Sequence, residues 1–424
     1  MPDIKTLLIQ IGVILIAARA AGWLLSRVYQ PRVVGEMIAG IMLGPSLLGR
    51  VAPGFSAYVF PPESLPTLNW LSQVGLLLFM FTVGLELDTE KLRRMGRSAV
   101  VISHTSIVVP FALGSLLALQ LYPKIADGTV PFAGFVLFTG VAMSVTAFPV
   151  LARILKERDL VGTGIGTITI ACAAVDDVTA WCLLAVIIAL IKSGAGHMAL
   201  WQMFAGLALY AWLMLFVLGP LVGRLIAKRE GAWADELSKT AAVILFMLAS
   251  SLATEWLGIH ALFGAFLAGA AVPKGLGVGA AVTTKLRPVV AVLIPLFFVF
   301  SGLRTNFGLL GGREMLLYCG LILLVAVAGK LGGSMAAARF TGMPWREAAA
   351  VGVLMNTRGL IELVILNIGL DIGALNRPLF SMMVVMAVCT TLMTTPLLLW
   401  IYPTAAEEGF FTKGTGVLKQ PARG

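Results

Sequence analysis

Ala173-Ala174-Val175-Asp176-Asp177-Val178-Thr179-Ala180-Trp181 places two adjacent carboxylates near the middle of an apolar run from about Gly164 to Ile191. A run of that length crosses a hydrocarbon core of roughly 30 Å, for which about 20 helical residues suffice. One Asp at the centre of such a helix costs roughly 2.5–3.5 kcal/mol even on the mild insertion scale. Two in succession call for a functional reason, and the physical default is an ion or proton pathway. On a helix the pair points about 100° apart, so the two side chains address different partners and carry different roles. Ala173 and Ala180 fall on the face of both, and Cys172 lies near Asp176, small residues that let another helix approach closely.

The remainder of the 424 residues agrees with a membrane setting: 59% are hydrophobic and 12% charged, about half the charged share of a soluble domain. The net charge of +10 reads as a topology signal rather than a nucleic-acid footprint, because the basic residues fall in short connectors. Cys172, Cys182, Cys319 and Cys389 all lie in apolar segments without a CxxC pair, and read as small core residues with neither disulfide nor metal. Met1–Lys5 lacks the basic start and cleavage site of a signal peptide, so the first apolar stretch is expected to be retained.

Thirteen apolar segments are expected, at 6–27, 33–49, 67–87, 98–122, 131–154, 162–191, 199–227, 239–257, 260–273, 288–303, 314–338, 346–369 and 378–402. The second, ninth and tenth are short and interrupted by Gly or Pro. The tail 403–424 is too short for a folded regulatory domain. Connectors after odd-numbered segments, with the tail, hold 21 Lys and Arg, against 7 after even-numbered ones and at the N-terminus. By the positive-inside rule the N-terminus is outside and the C-terminus cytoplasmic.

The chain also repeats itself. Gly35-Glu36-Met37-Ile38-Ala39-Gly40 is echoed by Gly264-Ala265-Phe266-Leu267-Ala268-Gly269. Leu78-Phe79 with Gly84-Leu85 is echoed by Leu296-Phe297 with Gly302-Leu303, and Gly140–Ser144 by Gly352–Asn356. Each match lies seven segments apart, and an odd shift inverts the orientation. The expected layout is a first repeat over 1–192, a linking span at 199–227 and a second, inverted repeat over 238–402. Such repeats hold their binding site near the midplane, between discontinuous helices.

Two breaks are legible. In Ser144-Val145-Thr146-Ala147-Phe148-Pro149 the proline cannot donate to the carbonyl of Val145, leaving that carbonyl and two hydroxyls as an oxygen set for a small cation. Asn356-Thr357-Arg358-Gly359-Leu360-Ile361-Glu362 loosens the mirrored span at the same depth. Lys330, the one lysine inside a span, is the natural counter-charge for one of the aspartates, and Arg358 and Glu362, four apart, can pair along their own helix. His104 reads as a satisfied core histidine, His197 as a loop residue and His260 as the start of a span. Glu36, Glu86 and Asp88 read as interfacial carboxylates near helix ends.

Gly35–Gly49 (GEMIAGIMLGPSLLG), Phe81–Asp88 (FTVGLELD), Ser144–Leu155 (SVTAFPVLARIL), Ala174–Trp181 (AVDDVTAW) and Met355–Gly369 (MNTRGLIELVILNIG) together resemble the monovalent cation:proton antiporters, in the branch with bacterial Na⁺(K⁺)/H⁺ antiporters and plant cation/H⁺ exchangers. The resemblance implies an all-α polytopic membrane protein of the Na⁺/H⁺ antiporter-like fold, with two six-helix inverted repeats, crossed broken helices, a mobile core and a homodimer in the inner (plasma) membrane. It implies that Asp177 binds cation and proton alternately, that Lys330 stabilises Asp176, and that Ser144, Thr146 and the crossing backbone complete the site. It implies a transporter rather than an enzyme, with no cofactor beyond the transported Na⁺ or K⁺ and H⁺, and no nucleic-acid partner. Asp176-Asp177 stands where glutathione-gated potassium efflux proteins carry Gln-Asp, and their long nucleotide-binding C-terminal domain has no counterpart here, which disfavours that kind of gating. An aspartyl protease needs its two carboxylates on different helices, and no Asp cluster is spaced for a prenyltransferase. The remaining alternative is a sodium-coupled symporter of an organic anion, for which Arg358 could serve.

Overall fold

The structure is a computed structural model that describes residues 4–403 except 29, 87–96, 127, 129, 194–199, 229–235, 258–259 and 274–276. His197 and Asp88 therefore lie outside the described residues. The described residues are helical throughout, without strands. In chain order the helices are α1 (Ile4–Ser26), α2 (Arg32–Leu43), α3 (Leu48–Val51), α4 (Pro53–Val59), α5 (Leu65–Glu86), α6 (Arg97–Ile125), α7 (Phe132–Ser144), α8 (Phe148–Glu157) and α9 (Gly164–Ser193). There follow α10 (Leu200–Leu213), α11 (Gly219–Lys228), α12 (Glu236–Trp256), α13 (Ala261–Ala271), α14 (Val278–Arg304), α15 (Arg313–Val327), α16 (Gly333–Phe340), α17 (Trp345–Met355), α18 (Leu360–Asp371) and α19 (Arg377–Ile401). One π-turn, Met214–Leu218, joins α10 to α11, and another, Ala328–Gly332, joins α15 to α16.

Among the described residues nine helical stretches are long and apolar enough to cross a membrane, ten when the bent pair α17–α18 is taken as one span. Shorter apolar helices cover Ala208–Arg224 and Ala261–Ala271. The chain is a multi-pass integral membrane protein. The expectation of a short, interrupted tenth segment is corrected: α14 runs unbroken for 27 residues with Pro288 and Pro295 inside it. Neighbouring helices re-satisfy the backbone groups that a proline frees at this depth.

The helices pack in two groups. In the first, α5 lies against α13 and α14, α2 against α1 and α14, and α12 against α13. Glycine contacts hold this group together. A Cβ on Gly302 of α14 would stand 2.0 Å from the Gly40 carbonyl carbon of α2, and one on Gly40 would stand 2.2 Å from the Phe298 oxygen of α14. A Cβ on Gly269 of α13 would stand 2.2 Å from the Phe81 oxygen of α5, and one on Gly84 would stand 2.1 Å from the Phe266 oxygen. These four glycines are the repeated motif positions, and each close approach joins a helix from the first half of the chain to one from the second half. Without side chains there, backbones touch and dispersion replaces the hydrophobic drive that lipid cannot supply.

In the second group α9 packs on α6, α7, α8 and α17, α6 on α7, α15 and α16, and α18 on α7 and α19. Its centre is almost fully buried, with every residue from Val351 to Ile368 shielded. Here α7–α8 and α17–α18 are each broken midway, at residues 145–147 and 356–359. Pro149 lies in the first turn of α8, where its missing N–H is no loss. It starts a new helix rather than kinking one continuous span.

Of the four cysteines only Cys172 is core; Cys182 is exposed, Cys319 and Cys389 are half-buried, and all four are free thiols. The core reading of the other three is thereby corrected, since their positions on the helices face outward. His104 is likewise exposed on α6, its Nδ1 2.8 Å from the Val100 carbonyl, because the buried face of that turn is taken by Ser103 and Ser106.

Candidate ion-binding site at the helix crossing

The two breaks cross and complete one another. The Ala147 amide donates to the Thr357 carbonyl at 2.9 Å, and the Thr146 hydroxyl oxygen lies 3.0 Å from the Met355 carbonyl. The last turn of α7 presents carbonyls with no partner of their own at the negative end of its dipole, and two cations from the second half meet them. Arg358 Nη1 and Nη2 donate to the carbonyls of Ala142 and Met143, each at 2.6 Å. Lys330 Nζ donates to the Ser144 carbonyl at 2.5 Å. Thr391 of α19 then pins the Arg358 backbone at both ends, accepting from its N–H at 3.0 Å and donating to its carbonyl at 2.8 Å.

Lys330 sits in the π-turn, whose neighbours Gly329 and Gly333 abut Pro110 and Val109 of α6. The close approach lets the ammonium reach across. It donates to the Ser106 carbonyl at 2.8 Å and to Asp176 Oδ2 at 2.7 Å as well as to Ser144, so all three N–H groups are spent. Asp176 is equally satisfied: besides Lys330 it accepts from the Ser106 hydroxyl at 2.9 Å and the Thr146 hydroxyl at 2.8 Å. Lys330 and Asp176 are both fully buried.

Asp177, one residue on, is 2% exposed, yet neither carboxylate oxygen has a hydrogen-bond partner. The Phe148 amide, at the positive end of α8, acts on it electrostatically. Other buried polar atoms on the second break are also unpartnered, among them both amide atoms of Asn356, the Thr357 hydroxyl and both Glu362 oxygens. Glu362 Oε2 lies 3.7 Å from Arg358 Nη1, an ion pair without a hydrogen bond.

The structure thus brings Asp176, Asp177, Ser144, Val145, Thr146, Lys330, Asn356, Thr357, Arg358 and Glu362 to one crossing. The expected hydroxyls are directed elsewhere than a shared oxygen cage. Thr146 serves Asp176 and Met355, and the Ser144 hydroxyl donates to Val141 of its own helix. Ser106 and Thr391 were not legible as partners. A serine or threonine in an apolar span ordinarily bonds its own helix, as Thr390 does with Met386, and nothing in sequence singles out those that reach across.

Broken helices crossed beside a buried aspartate pair are the architecture of a secondary transporter. The comparisons place the chain more closely. Residues 13–400 match the family described as sodium/hydrogen exchanger, transmembrane, and the chain belongs to that family. It is 42% identical over 412 residues to the Na(+)/H(+) antiporter NhaS4 of Synechocystis sp., covering 96% of this chain and 100% of that protein. It is 43% identical over 400 residues to cation/H(+) antiporter 17 of Arabidopsis thaliana, covering 93% of this chain and 48% of that protein. With K(+)/H(+) antiporter 1 of Saccharomyces cerevisiae it shares 34% over 394 residues, covering 91% of this chain and 45% of that protein. The chain therefore spans the full length of the cyanobacterial relative and about half of the plant and yeast ones. The fold is similar to that of the sodium proton antiporter MjNhaP1 from Methanocaldococcus jannaschii, with a TM-score of 0.66 at 12% identity over 94% of this chain and 98% of that one.

Proposed function

We propose that the protein exchanges a monovalent cation, Na⁺ or K⁺, for protons by alternating access, with cation and proton competing for Asp177. The observation that carries this reading is the contrast between neighbours of equal burial. Asp176 is saturated by a lysine and two hydroxyls, whereas neither Asp177 oxygen has a hydrogen-bond partner and the Phe148 amide acts on it from nearby. A buried carboxylate without a partner is strongly disfavoured as a bare charge, so it needs either a proton or a cation for company. A site that accepts either one, but not both, couples the two fluxes. Unpartnered Asn356 and Thr357 atoms at the crossing supply oxygens to complete the cation's shell, with Val145 backbone beside them.

The two packed groups are the scaffold and the moving body of this mechanism, the second carrying the site past the first. The symmetric glycine pairs Gly40–Gly302 and Gly84–Gly269 support an inverted pair of repeats over 1–192 and 238–402 about the linking span 199–227. The distribution of basic residues supports thirteen spans with the N-terminus outside and the C-terminus cytoplasmic, in the plasma (inner) membrane. A homodimer through the scaffold completes the proposal. Symport of an organic anion is the weaker reading, because the terminal nitrogens of Arg358 are already committed to helix carbonyls.

Purified protein in acid-loaded vesicles tests the proposal. Added NaCl or KCl, with no organic solute present, should release protons, and Asp177→Asn should abolish that release at every pH. Proton release at the wild-type rate by Asp177→Asn, or release only when an organic anion is supplied, contradicts it.

A further inference from the structure

At one end of the molecule, where α1 turns into α2 and α8 ends, lies a cavity of about 200 Å³ lined by Ser26, Gln30, Arg32, Arg153, Glu157 and Arg158. Three guanidinium groups and one carboxylate form its walls. Arg153 Nε holds Glu157 at 2.8 Å, and Glu36 on α2 experiences the charges of Arg19, Arg153 and Arg32. Planar guanidiniums converging from two helices suit a tetrahedral oxyanion, which they meet with paired N–H donors.

Two further features narrow the ligand. Gln30 is 8% exposed, its Nε2 donates to the Leu392 carbonyl at 2.9 Å, and its Oε1 is buried without a partner. An acceptor left over in a basic cavity calls for a ligand that also carries an O–H. Beside the cavity the last turn of α1 has the features of a headgroup-depth segment. Trp23, Leu24 and Val28 are exposed, and Arg27 stacks on the Trp23 ring at 3.9 Å. Tryptophan with a basic partner is enriched at that depth.

We propose that this cavity binds a phosphate group accompanied by a hydroxyl, presented by an acidic lipid headgroup or by a soluble phosphate. The bound group contacts Arg32 on α2, Arg153 on α8 and Arg158 just past its end, so it ties the first helix group to the second where their relative motion would separate them.

Thermal unfolding of the purified full chain in detergent tests the site without using transport, so a failure of the exchange reading leaves the result intact. The probes are dioctanoyl phosphatidylglycerol, dioctanoyl phosphatidylcholine and inorganic phosphate. Phosphatidylglycerol should raise the unfolding midpoint saturably and phosphatidylcholine should not. Arg158→Gln and, separately, Arg32→Gln should each raise the half-saturating concentration about tenfold, roughly the loss of one charge-assisted contact. Arg339→Gln, away from the cavity, should bind as wild type does. Saturation by inorganic phosphate as well, lost in the same variants, assigns the site to soluble phosphates; saturation by the lipid alone assigns it to the bilayer. The proposal is overturned if phosphatidylcholine matches phosphatidylglycerol, if no probe saturates, or if both arginine variants bind as wild type does.

Discussion

Lys330 and the two aspartates divide their labour by hydrogen-bond count. The ammonium spends three donors on Asp176 and two carbonyls, so it answers the Asp176 charge and also caps α7. Removing it as Lys330→Gln strands a buried carboxylate, which typically costs roughly 3–5 kcal/mol. The unfolding midpoint should drop steeply, and the drop should be smaller in an Asp176→Asn background; equal drops in both backgrounds would mean that the two residues are not coupled. Asp177→Asn, by contrast, breaks no hydrogen bond and should leave the midpoint unchanged or raised. This division was half legible in sequence. Adjacent carboxylates 100° apart on a helix must differ in role, and an intramembrane lysine must answer one of them. Which one depends on the π-turn and on Ser106, which the sequence does not announce.

Among the elements, the broken helices and the glycine contacts do most to set geometry. Both breaks were readable from Pro149 and from the Asn356–Gly359 run, but their mutual repair was not. That repair depends on Arg358 reaching the carbonyls of Ala142 and Met143, while its neighbour along the helix, Glu362, is held only at 3.7 Å. Spacing of four predicted the pair; the buried carbonyl end of α7 won the guanidinium, since unpartnered carbonyls at a helix terminus attract a cation strongly. The glycine motifs can be tested directly. Gly302→Ala puts a methyl 2.0 Å from backbone that cannot step aside, and overpacking of this kind costs about 1–3 kcal/mol. Gly84→Ala should cost a similar amount at the equivalent contact of the other repeat. Gly12→Ala, which meets nothing within 4 Å, should be neutral or slightly stabilising. Unfolding midpoints that rank Gly12→Ala with the other two would remove the close-contact explanation of the repeated motifs.

For the whole molecule, hydropathy and basic-residue bias carried most of what was readable: a helical membrane chain, its segment boundaries within a few residues, and its expected sidedness. They failed where a rule of composition met a local exception, as at α14, whose prolines sit inside an unbroken helix. Sidedness remains open to a simple check, because a C-terminal reporter active only in the cytoplasm should be active, and periplasmic activity would reverse the proposed orientation. Contacts between the two helix groups matter for motion. At one end Arg304 of α14 bonds Asn367 at 3.0 Å and Asp371 at 2.5 Å on α18, a bridge that the proposed movement of the second group would have to break. The central claim, that one proton and one cation compete for Asp177, is tested most directly by the apparent cation affinity of exchange in proteoliposomes across pH. Protonation removes the cation's site, so affinity should weaken as pH falls, approaching about tenfold per unit once the carboxyl is mostly protonated, as mass action for a single competing proton requires. A cation affinity that stays flat from about pH 5.5 to about pH 8.5 would contradict competition at a single carboxylate.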